Sequence, residues 1–514
     1  MNLKVKTLGL EAGGKFIVVL NREDAEDLSV SSLERVRIRS RDNEVIAIVN
    51  ITTRLIEKGT VGIYEEVKNS LNLKEGAEVD VEIAPLPASV YFIRNKLNRR
   101  KLTFGEIDEI IQDVVKGNLS EIEIASFVTA LHAFGLDLDE ATSLSTAMVK
   151  TGNVLKINRP VIVDKHSIGG VPGDKTTLLV VPIVAAAGLT IPKSSSRAIT
   201  SAAGTADRVE VLMPVNLGLE EMQNVVEKTN GCMVWGGTLN LAPADDIFIR
   251  VENPLSIDPL LLPSIMSKKK AVGANLLVLD IPTGRGTKVK TIGEADLLAK
   301  DFMELGRRLD IKVQCAVTYG EQPVGHTIGP ALEASEALGV LTGEAKAPDL
   351  VDKATNIAGI LLEMSGKSNG KETALEILRS GKAEKKMREI IEAQGGNPKV
   401  KTEDIHVGDQ TDTVRSGKEG FILWINNASL AEVARLAGAP KDKGAGIYLH
   451  RKIGDRVKKG EPLLTIHVER DVKLQRALDG LEKSDVLGIG ERMDMLIHEV
   501  RELPVTRRPF MIER

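Results

Sequence analysis

Residues 160–189 read PVIVDKHSIGGVPGDKTTLLVVPIVAAAGL, and they set the architecture of the chain. The stretch begins with a β-branched apolar run typical of a strand, passes through a glycine-rich loop, and ends in a helix-like apolar segment. Residues 193–207, KSSSRAITSAAGTAD, repeat this arrangement after a second short strand, and LLVLDIPTG (276–284) and IKVQCAVTYG (311–320) are further strands that end in loops. Strands that alternate with helices predict a mainly parallel sheet with helices on its faces.

Both loops have the composition of an anion-binding site. Glycines let the backbone approach an anion closely, and the helix that follows presents free N–H groups. Lys165, Ser167 and Thr177 add donors to the first loop, and the second loop carries more hydroxyl groups than helix capping requires. Ligands of parallel sheets bind beyond the carboxyl ends of the strands, which is where both loops fall.

Composition excludes several classes of function. The 514 residues include 68 Lys and Arg and 72 Asp and Glu, a net charge of −4, and aromatic residues make up 3%, so we expect no nucleic-acid partner. Cys232 and Cys315 exclude a disulfide scaffold, and because the histidines lack metal-ligand spacing we expect neither a metal nor another cofactor. The most apolar run, 178–189, is shorter than the ~20 residues of a membrane span, and the N-terminus lacks a signal-peptide core. We therefore expect a cytoplasmic protein without a membrane partner.

The length predicts about three domains, and the changes of pattern along the chain mark four regions. Two prolines in APLPAS (84–89) separate a β-rich opening from helical segments that end near glycines. The expected regions are a β-rich N-terminal domain (1–86), a helical domain (87–156, with a return segment 240–273), an α/β phosphate-binding domain (157–239, continuing in 274–420) and a C-terminal α+β region (421–514).

Four motifs carry a resemblance to a known family. KHSIGGVPGDKTT, SSSRAITSAAGTADRVE, LAPADD and PSIMSKK resemble the thymidine phosphorylase family of nucleoside phosphorylases. The SSRAITSAAGTAD form, Pro172 and the additional N-terminal domain are similar to its archaeal AMP phosphorylase branch. The resemblance implies an α/β fold of the class II nucleoside phosphorylase type, a helical domain plus a large mixed, mainly parallel α/β domain, here with the extra β-rich N-terminal domain. Two departures are Ser195-Ser196-Arg197-Ala198 in place of Ser-Gly-Arg-Gly, and a shorter loop between Asp258 and Ser264.

The resemblance implies a pentosyltransferase that converts AMP and inorganic phosphate into adenine and ribose 1,5-bisphosphate, with CMP and UMP as further expected substrates. Asp258 matches the proton donor of the branch. The positions matched to inorganic phosphate are Lys165, Ser167, Thr177, Ser195 and Thr205. The positions matched to the nucleotide are Gly170, Ser196, Arg197, Ala198, Ile199, Thr200, Ser201, Thr205, Ser264, Lys268 and Lys288.

The chemistry of phosphorolysis agrees with these roles. A departing base needs a proton, so a carboxylic acid near the base is the expected general acid. We expect an apolar setting to keep Asp258 partly protonated, and the residues expected to supply it are Ile257, Pro259, Leu260, Leu261 and Leu262. An Asp before a proline is also common as a turn or helix cap. The basic loop GRGTKVK (284–290), with Lys288, suits a 5′-phosphate, although such loops also occur as solvated turns. His166 is given a supporting role, because imidazole titrates near neutrality.

Other functions remain open at this point. A thymidine or pyrimidine nucleoside phosphorylase lacks the 5′-phosphate requirement, and an anthranilate-type phosphoribosyltransferase predicts Mg²⁺ dependence and release of diphosphate. A carrier module around GDRVKKGEPLL (454–464) is the non-enzymatic alternative, but the segment lacks the hairpin with a modifiable lysine. Because the N-terminal domain has no site of its own, we expect it to serve assembly, and we expect a homo-oligomer.

Overall fold

The structure is a computed structural model that describes residues 1–41, 43–198 and 201–491. The strands are β1 (Asn2–Thr7), β2 (Ile17–Asn21), β3 (Arg35–Ser40), β4 (Asn43–Thr52), β5 (Thr60–Ile63), β6 (Glu78–Ile83), β7 (Val163–Ser167), β8 (Ile191–Ser195), β9 (Gly231–Trp235), β10 (Leu276–Thr283), β11 (Lys312–Tyr319), β12 (Thr327–Ile328), β13 (Gln410–Arg415), β14 (Gly420–Ile425), β15 (Gly446–Leu449), β16 (Arg456–Val457), β17 (Pro462–Val468) and β18 (Leu487–Gly490). The α-helices are α1 (Arg22–Asp27), α2 (Glu65–Ser70), α3 (Ala88–Leu97), α4 (Phe104–Val115), α5 (Glu121–Phe134), α6 (Leu138–Thr151), α7 (Thr176–Ala186), α8 (Thr205–Val209), α9 (Leu219–Thr229), α10 (Pro243–Leu255), α11 (Leu261–Ala271), α12 (Ile292–Arg308), α13 (Pro330–Thr342), α14 (Pro348–Met364), α15 (Gly370–Arg379), α16 (Lys382–Ala393), α17 (Asn427–Leu436) and α18 (Asp471–Glu482). None of the helices within the described ranges is both long enough and apolar enough to cross a membrane.

The N-terminal section is a closed barrel of six strands. Their order is β1-β5-β2-β4-β3-β6, and β6 pairs with β1 to complete the ring. Side chains of a strand alternate between its two faces, so the pattern of β4 places Val45, Ala47 and Val49 in the interior. The β-rich N-terminal domain expected from the sequence is confirmed.

Arg35 of the barrel binds the helical section. Its buried guanidinium donates through Nε to the carbonyl oxygen of Asn118 at 2.9 Å and forms an ion pair with Glu123. Glu123 also accepts the backbone N–H of Ser120 at 2.8 Å, as part of the capping box that begins α5. One carboxylate therefore fixes both the start of α5 and the position of the barrel.

The helical section is built from α3–α6, and α10 and α11 return from later in the chain to pack against it. Its core includes Ile107, Ile110, Phe127, Leu144 and Phe248. The spacing of the isoleucines of α4 follows the helical period, as the sequence predicts. The helical domain is confirmed, and the returning helices carry the segment that contains Asp258.

The α/β section contains the predicted parallel strands. The strands β11, β10 and β7 pair in parallel, a parallel bridge between Ile162 and Thr190 leads to β8, and β8 pairs in parallel with β9. The apolar helix α7 is buried against α14 and α16. Because all these strands run in one direction, the loops after β7, β8, β10 and β11 leave from the same edge.

The C-terminal section is antiparallel. One sheet has the order β12-β15-β17-β13 and a second has the order β16-β14-β18. The strands β12 and β13 precede residue 421, yet they pair with β15 and β17. This sheet therefore contains strands from both sides of the expected domain limit at 420/421. The four domain limits stay predictions.

Candidate functional site

The first glycine-rich loop connects β7 to α7. Lys165 and Thr177 are buried at its two ends, Ser167 is half-buried, and burial lowers the pKa of the Lys165 ammonium group. Gly170 has a φ of +91°, and a Cβ there would lie 2.9 Å from the backbone nitrogen of Lys288. Glycine is therefore required at this position, and the contact brings the basic loop 284–290 against the anion loop.

The second loop connects β8, which ends at Ser195, to α8, which begins at Thr205. The carboxylate of Asp207 accepts the backbone N–H of Ala198 at 2.7 Å and that of Gly204 at 2.8 Å, which closes the loop on itself. A Cβ on Gly204 would lie 2.4 Å from the backbone nitrogen of Ala198. Asp207 thus holds Ala198 and Gly204 close together.

The remaining predicted residues of this loop differ in their surroundings. Ser196 and Ser201 are both exposed, and the hydroxyl of Ser201 donates to the carbonyl oxygen of Ala203 at 3.3 Å. Ile199 and Thr200, both predicted to contact the nucleotide, lie outside the described residues.

The guanidinium of Arg197 is engaged by the protein itself. It donates to both carboxylate oxygens of Glu210, at 2.6 and 2.8 Å, and lies 4.9 Å from the centre of the Trp235 ring. These contacts hold the side chain beside α8.

Arg208 joins the two loops. It donates to the carbonyl oxygen of Asp174 in the first loop at 2.8 Å and to that of Ala203 in the second at 2.9 Å. It also forms an ion pair with the buried Glu333 of α13. The two anion loops predicted separately from the sequence therefore form one unit.

A buried charge network lies beneath the first loop. Lys353 of α14 is 3.2 Å from Asp174 and 2.7 Å from Asp280 of β10, and the hydroxyl of Thr318 donates to Asp280 at 2.5 Å. The ammonium group of Lys353 lowers the pKa of Asp174 against the opposing effect of burial. The network fixes the base of the loop to the sheet and to α14.

A second buried cluster surrounds Asp164 of β7. Lys269 of α11 lies 2.6 Å from one oxygen of Asp164, and Lys193 of β8 lies 3.6 Å from the other. Burial and the neighbouring Lys269 and Lys193 hold the pKa of His166 well below its ordinary value. His166 is therefore neutral at physiological pH, so it can donate or accept a hydrogen bond but carries no positive charge.

Asp258 and Lys288 face each other. The Nζ of Lys288 lies 3.1 Å from Oδ2 of Asp258, and the two side chains are 52% and 43% exposed, the lysine being the more exposed. The expected apolar enclosure of Asp258 is not formed, because Leu260 turns into the helical core while the carboxylate points toward Lys288. The ion pair joins the returning segment of the helical section to the basic loop of the α/β section.

Ser264 and Lys268 lie one turn apart on α11, after the turn that carries Asp258. Both are half-buried, and the Nζ of Lys268 lies 2.5 Å from Oδ2 of the buried Asp245 on α10. The predicted base-side residues are thus placed on the helical side, and Lys165, Ser195 and Thr205 on the α/β side.

Sequence reasoning missed the charged partners that support the site. Lys353 could have been found, because it lies on the apolar stripe of α14 with Leu350, Ile357 and Leu361, where a lysine needs a buried partner. Asp164 gives a similar signal, because it follows directly on the apolar run 161–163.

Comparisons with known proteins cover most of the chain. The family model of the glycosyl transferase helical bundle domain matches residues 90–152, that of the glycosyl transferase a/b domain matches 159–384, and that of the pyrimidine nucleoside phosphorylase C-terminal domain matches 421–487. The AMP phosphorylase of Thermofilum pendens is 51% identical over 516 residues, which cover 100% of both chains. The AMP phosphorylase of Thermococcus kodakarensis is 52% identical over 483 residues, 93% of this chain and 96% of that protein.

A solved structure shares the fold. Anthranilate phosphoribosyltransferase from Thermus thermophilus superposes with a TM-score of 0.51 at 20% sequence identity, covering 59% of this chain and 98% of that one. At this identity the likeness concerns the architecture alone, a helical section beside an α/β section.

Proposed function

The chain belongs to the AMP phosphorylase family, and from this premise we propose that it cleaves AMP with inorganic phosphate to give adenine and ribose 1,5-bisphosphate. The observation that carries the proposal is the position of Lys288. Its backbone touches Gly170 of the first anion loop, and its ammonium group lies 3.1 Å from Asp258. A mononucleotide carries both a phosphate and a base. Lys288 lies between the first anion loop and Asp258, so its ammonium group can bind the phosphate while Asp258 lies near the base.

We assign inorganic phosphate to the unit formed by the two anion loops. The buried ammonium of Lys165 and the hydroxyl groups around it are suited to a dianion. The proposed phosphate ligands are Lys165, Ser167, Thr177, Ser195 and Thr205. An anion held there attacks the anomeric carbon of the ribose while the base leaves on the opposite face.

We assign the nucleotide to the region between the first loop and α11. Lys288 binds the 5′-phosphate, Asp258 protonates the departing base, and neutral His166 orients the substrate by a hydrogen bond. The other proposed nucleotide contacts are Gly170, Ser196, Arg197, Ala198, Ile199, Thr200, Ser201, Thr205, Ser264 and Lys268. CMP and UMP are proposed as further substrates, because they carry the same 5′-phosphate that is assigned to Lys288. The homo-oligomeric state and the cytoplasmic location stay predictions.

Incubation of the purified full-length protein with AMP and phosphate is expected to release adenine only when phosphate is present. Chromatographic separation of adenine from AMP measures the reaction. Release from adenosine but not from AMP would favour a nucleoside phosphorylase. Mg²⁺-dependent formation of diphosphate from a phosphoribosyl diphosphate substrate would favour a phosphoribosyltransferase.

Replacement of Lys288 with Met is expected to raise the KM for AMP about 10- to 150-fold, since a charge-assisted hydrogen bond contributes about 1.5–3 kcal/mol. The KM for adenosine, which has no 5′-phosphate, should change little. Lys290→Met is the matched control, because the ammonium group of Lys290 donates to the carbonyl oxygen of Thr287 at 2.6 Å within the loop. Equal changes in the KM for AMP and for adenosine would show that Lys288 does not bind the 5′-phosphate.

A further inference from the structure

Asn427 reaches from the C-terminal section into the α/β section. It is the first residue of α17 and is 1% exposed. Its Nδ2 donates to the carbonyl oxygen of Gly320, which follows β11, at 2.7 Å. The start of its own helix is capped by a different residue, since the side chain of Asn426 accepts the backbone N–H groups of Ala428 and Ser429. The buried amide of Asn427 therefore serves the contact with the α/β section.

Gly320 lies directly against the basic loop 284–290. Its backbone N–H donates to the carbonyl oxygen of Thr283 at 3.0 Å, and a Cβ on Gly320 would lie 2.4 Å from Cγ2 of Thr287. Thr287 is 2% exposed, and its hydroxyl donates to the carbonyl oxygen of Gly284 at 2.7 Å. Thr287 thus packs on Gly320 and fixes the turn immediately before Lys288.

The basic loop is enclosed on two sides. On one side, a Cβ on Gly286 would lie 3.6 Å from the Cβ of Asn427. On the other side, a Cβ on Gly170 would lie 2.9 Å from the backbone nitrogen of Lys288. The backbone that carries Lys288 therefore has its place set by the first anion loop in front and by the start of α17 behind.

We propose, on the basis of the proposed function, that Asn427 is a positioning residue that sets the place of Lys288 for the 5′-phosphate of AMP. It acts through Gly320 and Thr287 and touches no substrate itself. In this way the C-terminal section, where the sequence predicts no nucleotide contact, takes part in the recognition of a mononucleotide.

Loss of the Asn427 amide disturbs the basic loop first. The buried carbonyl oxygen of Gly320 then loses its donor, and a buried polar group without a partner costs free energy unless the backbone moves. Thr287 has to follow such a movement, because the two residues pack without space between them. Lys165 and Thr177, which are proposed to bind inorganic phosphate, lie on β7 and α7 and keep their places.

Replacement of Asn427 with Ala is expected to raise the KM for AMP about 2- to 12-fold, the factor that corresponds to one neutral hydrogen bond. The KM for phosphate should change by less than about twofold. Both are measured from adenine release by the full-length protein. Asn426→Ala is the matched control, because it removes the cap of the same helix without removing the donor to Gly320. Its KM for AMP should remain that of the wild type.

A double variant separates positioning from a merely structural role. If Asn427 acts through Lys288, Asn427→Ala has no further effect once Lys288→Met has removed the ammonium group, and the KM for AMP equals that of Lys288→Met alone. A structural role predicts that Asn427→Ala multiplies this KM by the same factor with and without Lys288. That result would overturn the proposal, and so would an equal rise in the KM for AMP in Asn426→Ala.

Thermal unfolding shows whether each variant is folded. The loop after β11 keeps another tie to the C-terminal section, since Oε1 of Gln322 accepts the backbone N–H of Ile453 at 2.9 Å. If Asn427→Ala nevertheless does not fold, Asn427→Ser takes its place in the double variant, because its hydroxyl is too short to reach Gly320. Equality of the two KM values then supports the proposal, and multiplication rejects it.

The failure of the proposed function has a different signature. If the wild type releases no adenine from AMP, the proposed function fails and the inference fails with it. An active wild type whose KM for AMP is raised by Lys288→Met, together with a further increase in the double variant, rejects the inference alone.

Discussion

Replacement of Asp258 with Asn is expected to lower kcat for AMP phosphorolysis about 10²- to 10⁴-fold, the usual contribution of a general acid. The amide cannot donate a proton in the way that a carboxylic acid does, and the base then leaves as an anion. The KM for AMP should change much less, because the variant retains Lys288 and both anion loops. Steady-state assays of adenine release measure both parameters.

The leaving group provides the control for this variant. A ribose 5-phosphate derivative with 4-nitrophenol as the leaving group needs little protonation, so the Asn variant should cleave it nearly as fast as the wild type. Asp258→Glu keeps a carboxyl group and should retain part of the activity on AMP. An equal loss of kcat on AMP and on the nitrophenyl substrate would show that Asp258 does not transfer the proton and acts in binding instead.

Replacement of Lys353 with Met is expected to destabilise the α/β section by about 3–5 kcal/mol, the usual cost of removing one partner from a buried ion pair. Lys353 lies between Asp174 and Asp280, at 3.2 and 2.7 Å, and its loss removes the ion-pair partner that these two carboxylates share. For a section of this size the change corresponds to a fall in Tm of about 6–20 °C, which thermal unfolding followed by circular dichroism would detect. Saturating phosphate should recover part of this loss, because binding stabilises the folded form.

Lys371→Met is the matched control for this variant. Lys371 forms an ion pair with Asp352 at 2.8 Å, but the two side chains are 46% and 66% exposed. Exposed pairs contribute about 0–1 kcal/mol, so the control should unfold close to the wild-type temperature. Similar unfolding temperatures for the two variants would show that the buried network does not stabilise the α/β section.

The elements of the fold were predictable because their signals are local. The β-branched run 161–163 and the glycines at 169 and 170 lie within one strand–loop–helix unit, and the structure places β7 and α7 there. The period of the isoleucines in α4 similarly predicts one buried face. The order in which the strands pair depends on contacts between distant parts of the chain. The alternation of strands with helices nevertheless indicates a parallel sheet, even when the strand order is not known.

The support of the site was not predictable, because each contact joins distant parts of the chain. Lys269 and Asp164 are separated by 105 positions, and Lys353 and Asp174 by 179. The surroundings of Asp258 were predicted wrongly for the same reason, since Ile257 and Leu260 pack in the core of the helical section while Lys288 arrives from another loop. The neighbours in space, rather than those along the chain, decide the state of a carboxyl group.

The ring of strands at the N-terminus limits how copies of this protein can associate. In an open sheet the outermost strand presents unsatisfied N–H and C=O groups, and another molecule can add a strand there. In this ring β6 pairs antiparallel with β1 and so provides hydrogen-bond partners for its backbone N–H and C=O groups. Fibre-like growth by strand addition is therefore blocked at this end of the molecule, and any subunit contact made there has to rely on side chains, which point mutation can adjust one residue at a time.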